Sequence, residues 1–117
     1  RVAARFLRGL GYRIVASNLA DRKGELDLIA LDGQTLVIVE VRSRTDPDPH
    51  RAALTVDYRK QRKLTDAAIR YLSRRRLLGH NVRFDVVAIS WPDSQPEPTI
   101  LHFPDAFEPV GRFQLFH

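Results

Sequence analysis

Three acids and one arginine lie in two neighbouring segments that otherwise have the composition of core strands. Glu25 and Asp27 belong to the run G-E-L-D-L-I-A, and Glu40 and Arg42 belong to the run V-I-V-E-V-R-S-R. A buried carboxylate costs several kcal/mol unless it is paired, protonated or bound to a cation. Mg²⁺ takes one or two carboxylates and completes its octahedron with water and substrate phosphate. These residue types therefore indicate a candidate metal site for phosphate chemistry.

Two antiparallel strands, over 25–31 and 36–42, are expected to position these side chains. Side chains two residues apart on a strand share a face. If Asp32-Gly33-Gln34-Thr35 is the loop, Leu31 stands opposite Leu36, so that Asp27 faces Glu40 and Glu25 faces Arg42. If the loop is only Asp32-Gly33, Glu25 faces Glu40 instead. Both alternatives place all four residues on one face, at the end of the hairpin far from the turn.

The opposite face of this hairpin is expected to be uniformly apolar, formed by Leu26, Leu28, Ala30, Val37, Val39 and Val41. Directly opposed carboxylates repel, so without a cation one of them should have a raised pKa. The structural alternative is that Arg42 simply neutralises the acids on a solvated face. Three acids in register within β-branched sequence favour the site.

Periodicity along the rest of the chain predicts an α/β fold with the order α-β-β-β-α-β-β. The strand-helix-strand passage from Leu36 to Ile89 implies a parallel crossover, and therefore a mixed sheet flanked by helices. Asp57 is expected to cap the long helix and Gly79 to end it. The predicted helices are 1–10 and 57–78, the further strands are 12–19, 82–91 and 99–103, and 45–50 is a predicted loop.

Length and composition bound the class of protein. A chain of 117 residues suits one domain, predicted over 1–108, followed by a tail, 109–117, which covers a face, meets a second chain or is disordered. No apolar run reaches the roughly 18 residues of a transmembrane helix, so no membrane partner is expected. The chain begins with Arg1 rather than Met, and its first residues show no signal-peptide pattern. It contains no cysteine, which excludes disulfides and thiolate metal sites and fits a cytoplasmic protein.

The positive charge of the chain is concentrated in clusters. The excess of 19 Lys+Arg over 14 Asp+Glu is small. However, a basic cluster on the long helix surrounds Gln61, and beside an acidic metal site it indicates phosphate contacts. Gln61 is in line with the apolar stripe, so it either approaches the site or caps a strand end. The cluster consists of Arg59, Lys60, Arg62 and Lys63.

The quoted motifs resemble the PD-(D/E)xK nuclease superfamily. G-E-L-D-L-I-A, followed after a short break by V-E-V-R-S-R, is similar to its strand aspartate and the acid-x-lysine of the next strand. More narrowly, the chain resembles the YraN-like predicted endonucleases, which are similar to archaeal Holliday junction resolvases. The resemblance spans nearly the whole chain, through A-A-R-F-L-R-G-L-G-Y-R-I-V-A-S-N, K-Q-R-K-L, R-F-D-V-V-A-I and D-A-F. It implies a restriction-endonuclease-like fold.

The resemblance also implies roles for individual residues. Asp27 and Glu40 would be ligands of Mg²⁺, or of Mn²⁺, and Glu25 would be an auxiliary acid. Arg42 stands where the superfamily has its lysine, and an arginine supplies charge and hydrogen bonds but no base at neutral pH. A further acid of the family would fall just before Arg1.

The function implied is a Mg²⁺-dependent endonuclease that hydrolyses phosphodiester bonds in DNA, branched or otherwise structured. By analogy with resolvases, a two-fold homodimer is expected. One alternative is a non-catalytic nucleic-acid-binding protein on a degenerate nuclease fold. Another is a protein-protein adaptor that uses the apolar tail.

Overall fold

Alternating apolar residues form five strands that join in one mixed sheet. The computed structural model describes residues 2–111. Its elements are α1 (Val2–Gly9), β1 (Arg13–Asp21), β2 (Gly24–Asp32), β3 (Thr35–Arg44), α2 (Pro49–Ala53), α3 (Tyr58–Arg74), β4 (Val82–Ser90) and β5 (Thr99–Phe107).

The five strands are ordered β1-β2-β3-β4-β5 across the sheet. β3 and β4 run parallel, and the other neighbouring pairs are antiparallel. The predicted order of elements and the mixed sheet with flanking helices are confirmed. Helix α2 is an addition to the predicted order.

Three predicted boundaries are wrong, each for a local reason. The predicted loop 45–50 ends early, because Asp48 accepts a hydrogen bond from the His50 N–H and Pro49 starts α2. Helix α3 ends at Arg74 rather than Leu78, because Arg76 takes a left-handed backbone (φ 57°) and turns the chain back. β5 continues past Phe103 to Phe107, beyond a register shift in its pairing with β4.

The sheet separates two apolar clusters. One lies under α2 and α3, and the other lies under α1. The expectation that Leu26 and Leu28 share a face is wrong, because Leu26 packs in the α3 cluster and Leu28 in the α1 cluster. Between the pairs Ser17–Leu28 and Leu19–Leu26, Asn18 of β1 has a left-handed backbone (φ 53°), so regular strand geometry is interrupted opposite Asp27 although the register continues.

The start of the predicted tail packs on α3. Val110 is buried, and its N–H donates to the Thr65 hydroxyl oxygen over 3.0 Å. Residues 112–117 of the predicted tail lie outside the described residues, so the boundary at 108 stays a prediction. Within the described part of the chain, no helix is long and apolar enough to cross a membrane.

Candidate functional site

Asp27 and Glu40 meet where β2 separates from β3. The register has Leu31 opposite Leu36, which confirms the first of the two predicted hairpins, and the paired residues end at Leu28 and Val39. One residue further, the Asp27 carboxylate accepts the N–H of Val41 over 2.8 Å. The side chains of Asp27 and Glu40 also share a hydrogen bond. We call these two residues the acid pair.

The surroundings of the acid pair disfavour the ionised form of Glu40. Glu40 is only 5% exposed. Burial, followed by the charge and hydrogen bond of Asp27, raises the pKa of Glu40 to about 7. The nearby charges of Lys60 and Arg42 act in the opposite direction without cancelling the effect. Around neutral pH Glu40 is therefore close to the midpoint between its protonated and its ionised form.

Within residues 2–111, two cations contact Glu40. Arg42 Nε lies 3.1 Å from Glu40 Oε2, yet Nε has no aligned hydrogen-bond partner among the described residues, so this contact is an ion pair only. Lys60 Nζ lies 3.6 Å from the same oxygen. The neutralising contact considered for Arg42 from the sequence is thus present, and a second cation joins it.

Helix α3 places Lys60 at the acid pair. Asp57 caps the helix as predicted, accepting the Lys60 N–H over 2.9 Å. Lys60 therefore stands in the first turn, and its side chain reaches β3. The sequence could have predicted that Lys60 points toward the sheet, because Lys60 precedes the buried Leu64 by four residues and so lies on the same helix face.

Glu25 does not join the acid pair, contrary to both predicted hairpin registers. It is exposed and lines a separate pocket of about 140 Å³ with Arg70, Tyr71 and Arg74. The strand is irregular beside Asn18 and Asp27, so side chains two residues apart no longer lie on the same face there. Glu25 therefore points away from Asp27.

The other predicted contact residues of α3 lie around Lys60 but not on the acid pair. Gln61 donates from Nε2 to the Val56 carbonyl over 3.1 Å, in the segment between α2 and α3, and this hydrogen bond matches neither of the two predicted contacts. Arg59, Arg62 and Lys63 are exposed, and the guanidinium of Arg62 packs against Gly111.

A cleft of about 920 Å³ opens beside Asp27, between α1 and the sheet. We call it the α1 cleft. Its lining includes side chains that the sequence reasoning missed, namely Arg5, Arg8, Ser17, Asn18, Ser43 and Trp91. The spacing of Arg5 and Arg8 predicts that both lie on one helix face. Nothing in the sequence around Trp91 predicts that its side chain lines the same cleft.

The two carboxylates of the acid pair fit the ligand set of Mg²⁺, which uses one or two carboxylates and fills its other positions with water and phosphate. Within residues 2–111, no group of three or more Asp, Glu or His side chains is placed to hold a metal ion. The ion pairs from Lys60 and Arg42 compete for Glu40. The two carboxylates would therefore supply only part of a ligand set, and water and substrate would have to supply the rest.

A second polar network is structural. Asp85 is fully buried and accepts hydrogen bonds from Arg83, from the Asp105 N–H and from the ring of His102, with His102 Nε2 2.7 Å from Oδ2. Its carboxylate and that of Asp32 raise the pKa of Arg83 further above its usual range. These contacts give Asp85 a structural hydrogen-bonding role.

The fold and this site define an α/β protein with one five-stranded mixed sheet and an acid-base cluster at the point where two of its strands separate. The chain belongs to the family described as "Uncharacterised protein family UPF0102", whose family model matches residues 1–89. It is similar to the UPF0102 protein of Rhodopirellula baltica, with 45% identity over 95% of this chain and 68% of that protein. The UPF0102 proteins of Geobacter sulfurreducens (43% identity, 92% of this chain, 83% of that protein) and Anaeromyxobacter dehalogenans (41%, 95% and 81%) are further relatives.

Proposed function

We propose that this protein is a Mg²⁺-dependent DNA endonuclease that hydrolyses phosphodiester bonds, with branched or otherwise structured DNA as its substrate. The observation that carries the proposal is the acid pair, in which a buried carboxylate of raised pKa contacts two cations and a second carboxylate, that of Asp27, which lines an open cleft. Perturbed carboxylates of this kind are concentrated in catalytic sites. The resemblance to the PD-(D/E)xK superfamily and to YraN-like endonucleases, with a restriction-endonuclease-like fold, supports the same proposal.

In this proposal the acid pair holds the metal. A bound Mg²⁺, or Mn²⁺, supplies polarisation of a phosphate oxygen and a lowered pKa for a water ligand. Asp27 keeps its orientation through the Val41 N–H, which donates to one of its carboxylate oxygens. Glu40 completes the pair from β3.

Hydrolysis forms a bond between a water oxygen and phosphorus and breaks one P–O ester bond, while a proton passes from the water to the departing oxygen. Arg42 stabilises the negative charge that develops on the phosphate. Lys60 is the nearby cation that can carry a proton, because an arginine stays protonated at neutral pH. The lysine that Arg42 replaces in the motif is thus supplied from α3.

The charged side chains around the acid pair account for substrate binding in this proposal. Arg5 and Arg8 border the α1 cleft, and the exposed members of the α3 basic cluster, Arg59, Arg62 and Lys63, contact the phosphate backbone. Such contacts make binding sensitive to salt. A two-fold homodimer, proposed by analogy with resolvases, would present two such sites to the two strands of a junction.

The experiment compares the wild-type chain with Asp27→Asn on a labelled four-way junction and on supercoiled plasmid, with Mg²⁺, Mn²⁺ or EDTA. Metal-dependent cleavage that disappears in Asp27→Asn is expected. Glu97→Gln, which changes an exposed acid outside the site, serves as the matched control. Equal cleavage by Asp27→Asn and the wild type, or none by either, would overturn the proposal.

The second candidate is a nucleic-acid-binding protein without catalysis. The observation in its favour is that Arg42 and Lys60 already offset part of the negative charge of Glu40, which weakens the demand for a metal ion. Tight, salt-sensitive binding of the junction that is equal in Mg²⁺ and EDTA, with no cleavage, would favour this candidate over the enzyme.

A further inference from the structure

Trp91 is placed unusually for a tryptophan in a small domain. It directly follows Ser90, the buried last residue of β4, and its backbone N–H donates to the Arg44 carbonyl over 2.8 Å. This hydrogen bond fixes the backbone at the end of the sheet. The side chain nevertheless remains 41% exposed and lines the α1 cleft. Since tryptophan is highly buried on average, an anchored and open ring indicates a binding surface.

The α1 cleft combines the groups that a nucleotide needs. Its ionisable side chains are Arg5 and Arg8 on the helix wall and Asp27 on the sheet wall, so cations outnumber acids. Neither arginine forms an ion pair within residues 2–111. Its short polar groups come from Ser17, Asn18 and Ser43. Its volume of about 920 Å³ falls within the size range of pre-formed ligand sites.

We infer that the α1 cleft binds an unstacked base of single-stranded DNA, with Trp91 as the stacking surface and Arg5 and Arg8 as phosphate contacts. An aromatic ring stacks with any base, so this contact selects for unpaired nucleotides rather than for a sequence. In a blunt duplex the bases are paired and stacked on one another, so they are not accessible for stacking on Trp91. Because Asp27 lines the same cleft, the inference rests on the proposed function for its biological setting and narrows the substrate to DNA with unpaired nucleotides near the scissile phosphate.

The sequence offers a direct probe, because Trp91 is the only tryptophan of the chain. Intrinsic fluorescence therefore reports on this ring alone. The wild-type chain is titrated, in EDTA and at fixed salt, with oligo-dT and with a blunt duplex of equal length, while anisotropy of labelled DNA measures binding independently. Strong quenching by oligo-dT and little by the duplex is expected.

Two variants and one control complete the experiment. Trp91→Ala should weaken oligo-dT binding by roughly five- to one-hundred-fold, the usual worth of one stacked base, and leave duplex binding unchanged. Trp91→Phe keeps an aromatic face and should retain most of the affinity. Leu78→Ala removes a similarly exposed apolar side chain that does not line the α1 cleft, and it should bind as the wild type does.

The inference is overturned if saturating oligo-dT leaves the fluorescence unchanged, or if Trp91→Ala weakens duplex and oligo-dT binding equally. It is also overturned if Trp91→Phe, with a wild-type circular dichroism spectrum, loses as much affinity as Trp91→Ala. Failure of the endonuclease proposal looks different. In that case quenching and the Trp91 effects persist in EDTA, while metal-dependent cleavage by the wild-type chain is missing.

Discussion

Lys60 Nζ lies 3.6 Å from Glu40 Oε2, so the first turn of α3 brings a lysine to the acid pair. The β3 motif itself contains no lysine. The motif has arginine at position 42, whose guanidinium supplies charge and hydrogen bonds but stays protonated near neutral pH and so provides no base. In the tertiary structure both cations meet the same carboxylate oxygen. Mutagenesis can separate the contribution of each cation to charge stabilisation and to proton transfer.

Replacement of Lys60 by arginine is expected to separate charge from proton transfer. Under the proposed function, Lys60→Arg should lower the single-turnover cleavage rate by about 10²-fold or more, the usual worth of a positioned proton donor or acceptor. Junction affinity should change by only a few-fold, because the charge is kept. Lys23→Arg, on the exposed turn between β1 and β2, is the matched control. A wild-type rate in Lys60→Arg would assign Lys60 a purely electrostatic role.

Neutralising Glu40 is expected to stabilise the fold at alkaline pH. Its pKa is raised from the ordinary 4.5 to about 7, so between these values the folded chain retains a proton that the unfolded chain has released. The free energy of unfolding therefore falls as the pH rises from about 4.5 to about 7, by at most about 3 kcal/mol, and changes little from this source above pH 7. Glu40→Gln removes this slope.

The measurement is the urea midpoint of the wild type and of Glu40→Gln at pH 5 and pH 8, in EDTA. Glu40→Gln should be more stable than the wild type at pH 8, and the difference between their urea midpoints should be smaller at pH 5. Glu25→Gln alters an exposed carboxylate of β2 and should keep the wild-type slope. Parallel pH profiles for the wild type and Glu40→Gln would contradict the expectation.

Divalent ions are expected to stabilise the wild-type chain at pH 8. An ion that binds only the folded state adds about 2.7 kcal/mol at one hundred times its dissociation constant. Mg²⁺ or Mn²⁺ should therefore raise the Tm of the wild type in differential scanning calorimetry. Asp27→Asn should abolish the shift and Glu97→Gln should keep it. An equal shift in Asp27→Asn would show that the ions act elsewhere.

Removal of the Asp85 carboxylate is expected to be strongly destabilising. Asp85 is fully buried and pairs with Arg83 through two hydrogen bonds, and it also meets His102. Asp85→Ala leaves a partly buried guanidinium without this partner, which typically costs about 3–5 kcal/mol. Urea unfolding measures the loss, with Asp93→Ala, an exposed acid, as control. A cost below about 1 kcal/mol would rule out the network as a structural support.

The contact between Thr65 and Val110 is expected to tie the chain end to α3. The Thr65 hydroxyl donates to the Gln61 carbonyl over 2.9 Å and accepts the Val110 N–H. Thr65→Val leaves that N–H buried without an acceptor, which costs about 1–3 kcal/mol, whereas Thr65→Ser keeps the hydroxyl and should cost less. The difference between the two variants should disappear in a chain shortened to end at Glu108. A difference that survives truncation would mean that Val110 contributes nothing.

Local patterns in the sequence were sufficient for much of the fold. The alternation in β2, β3 and β4, the Asp32–Thr35 turn and the Asp57 cap predicted strands, hairpin and helix start, because each depends on side chains a few residues apart. The same reasoning placed Asp27 opposite Glu40, since the register of a tight hairpin follows from its turn. The end of α3 was predicted less well, because a left-handed arginine at position 76 has no sequence signal comparable to that of Gly79.

The sequence by itself thus determined the strand pair, the acid pair that it carries and the basic character of α3. Only the tertiary structure decided which charges meet there. The left-handed Asn18 on β1 interrupts the pleat and leaves Glu25 at another pocket, while packing of α3 on the sheet brings Lys60 to Glu40. The α1 cleft, which is lined by Arg5 and Arg8 as well as by Trp91, likewise joins segments from opposite ends of the chain. These contacts depend on packing between segments distant in sequence, and spacing along the chain does not encode such distances.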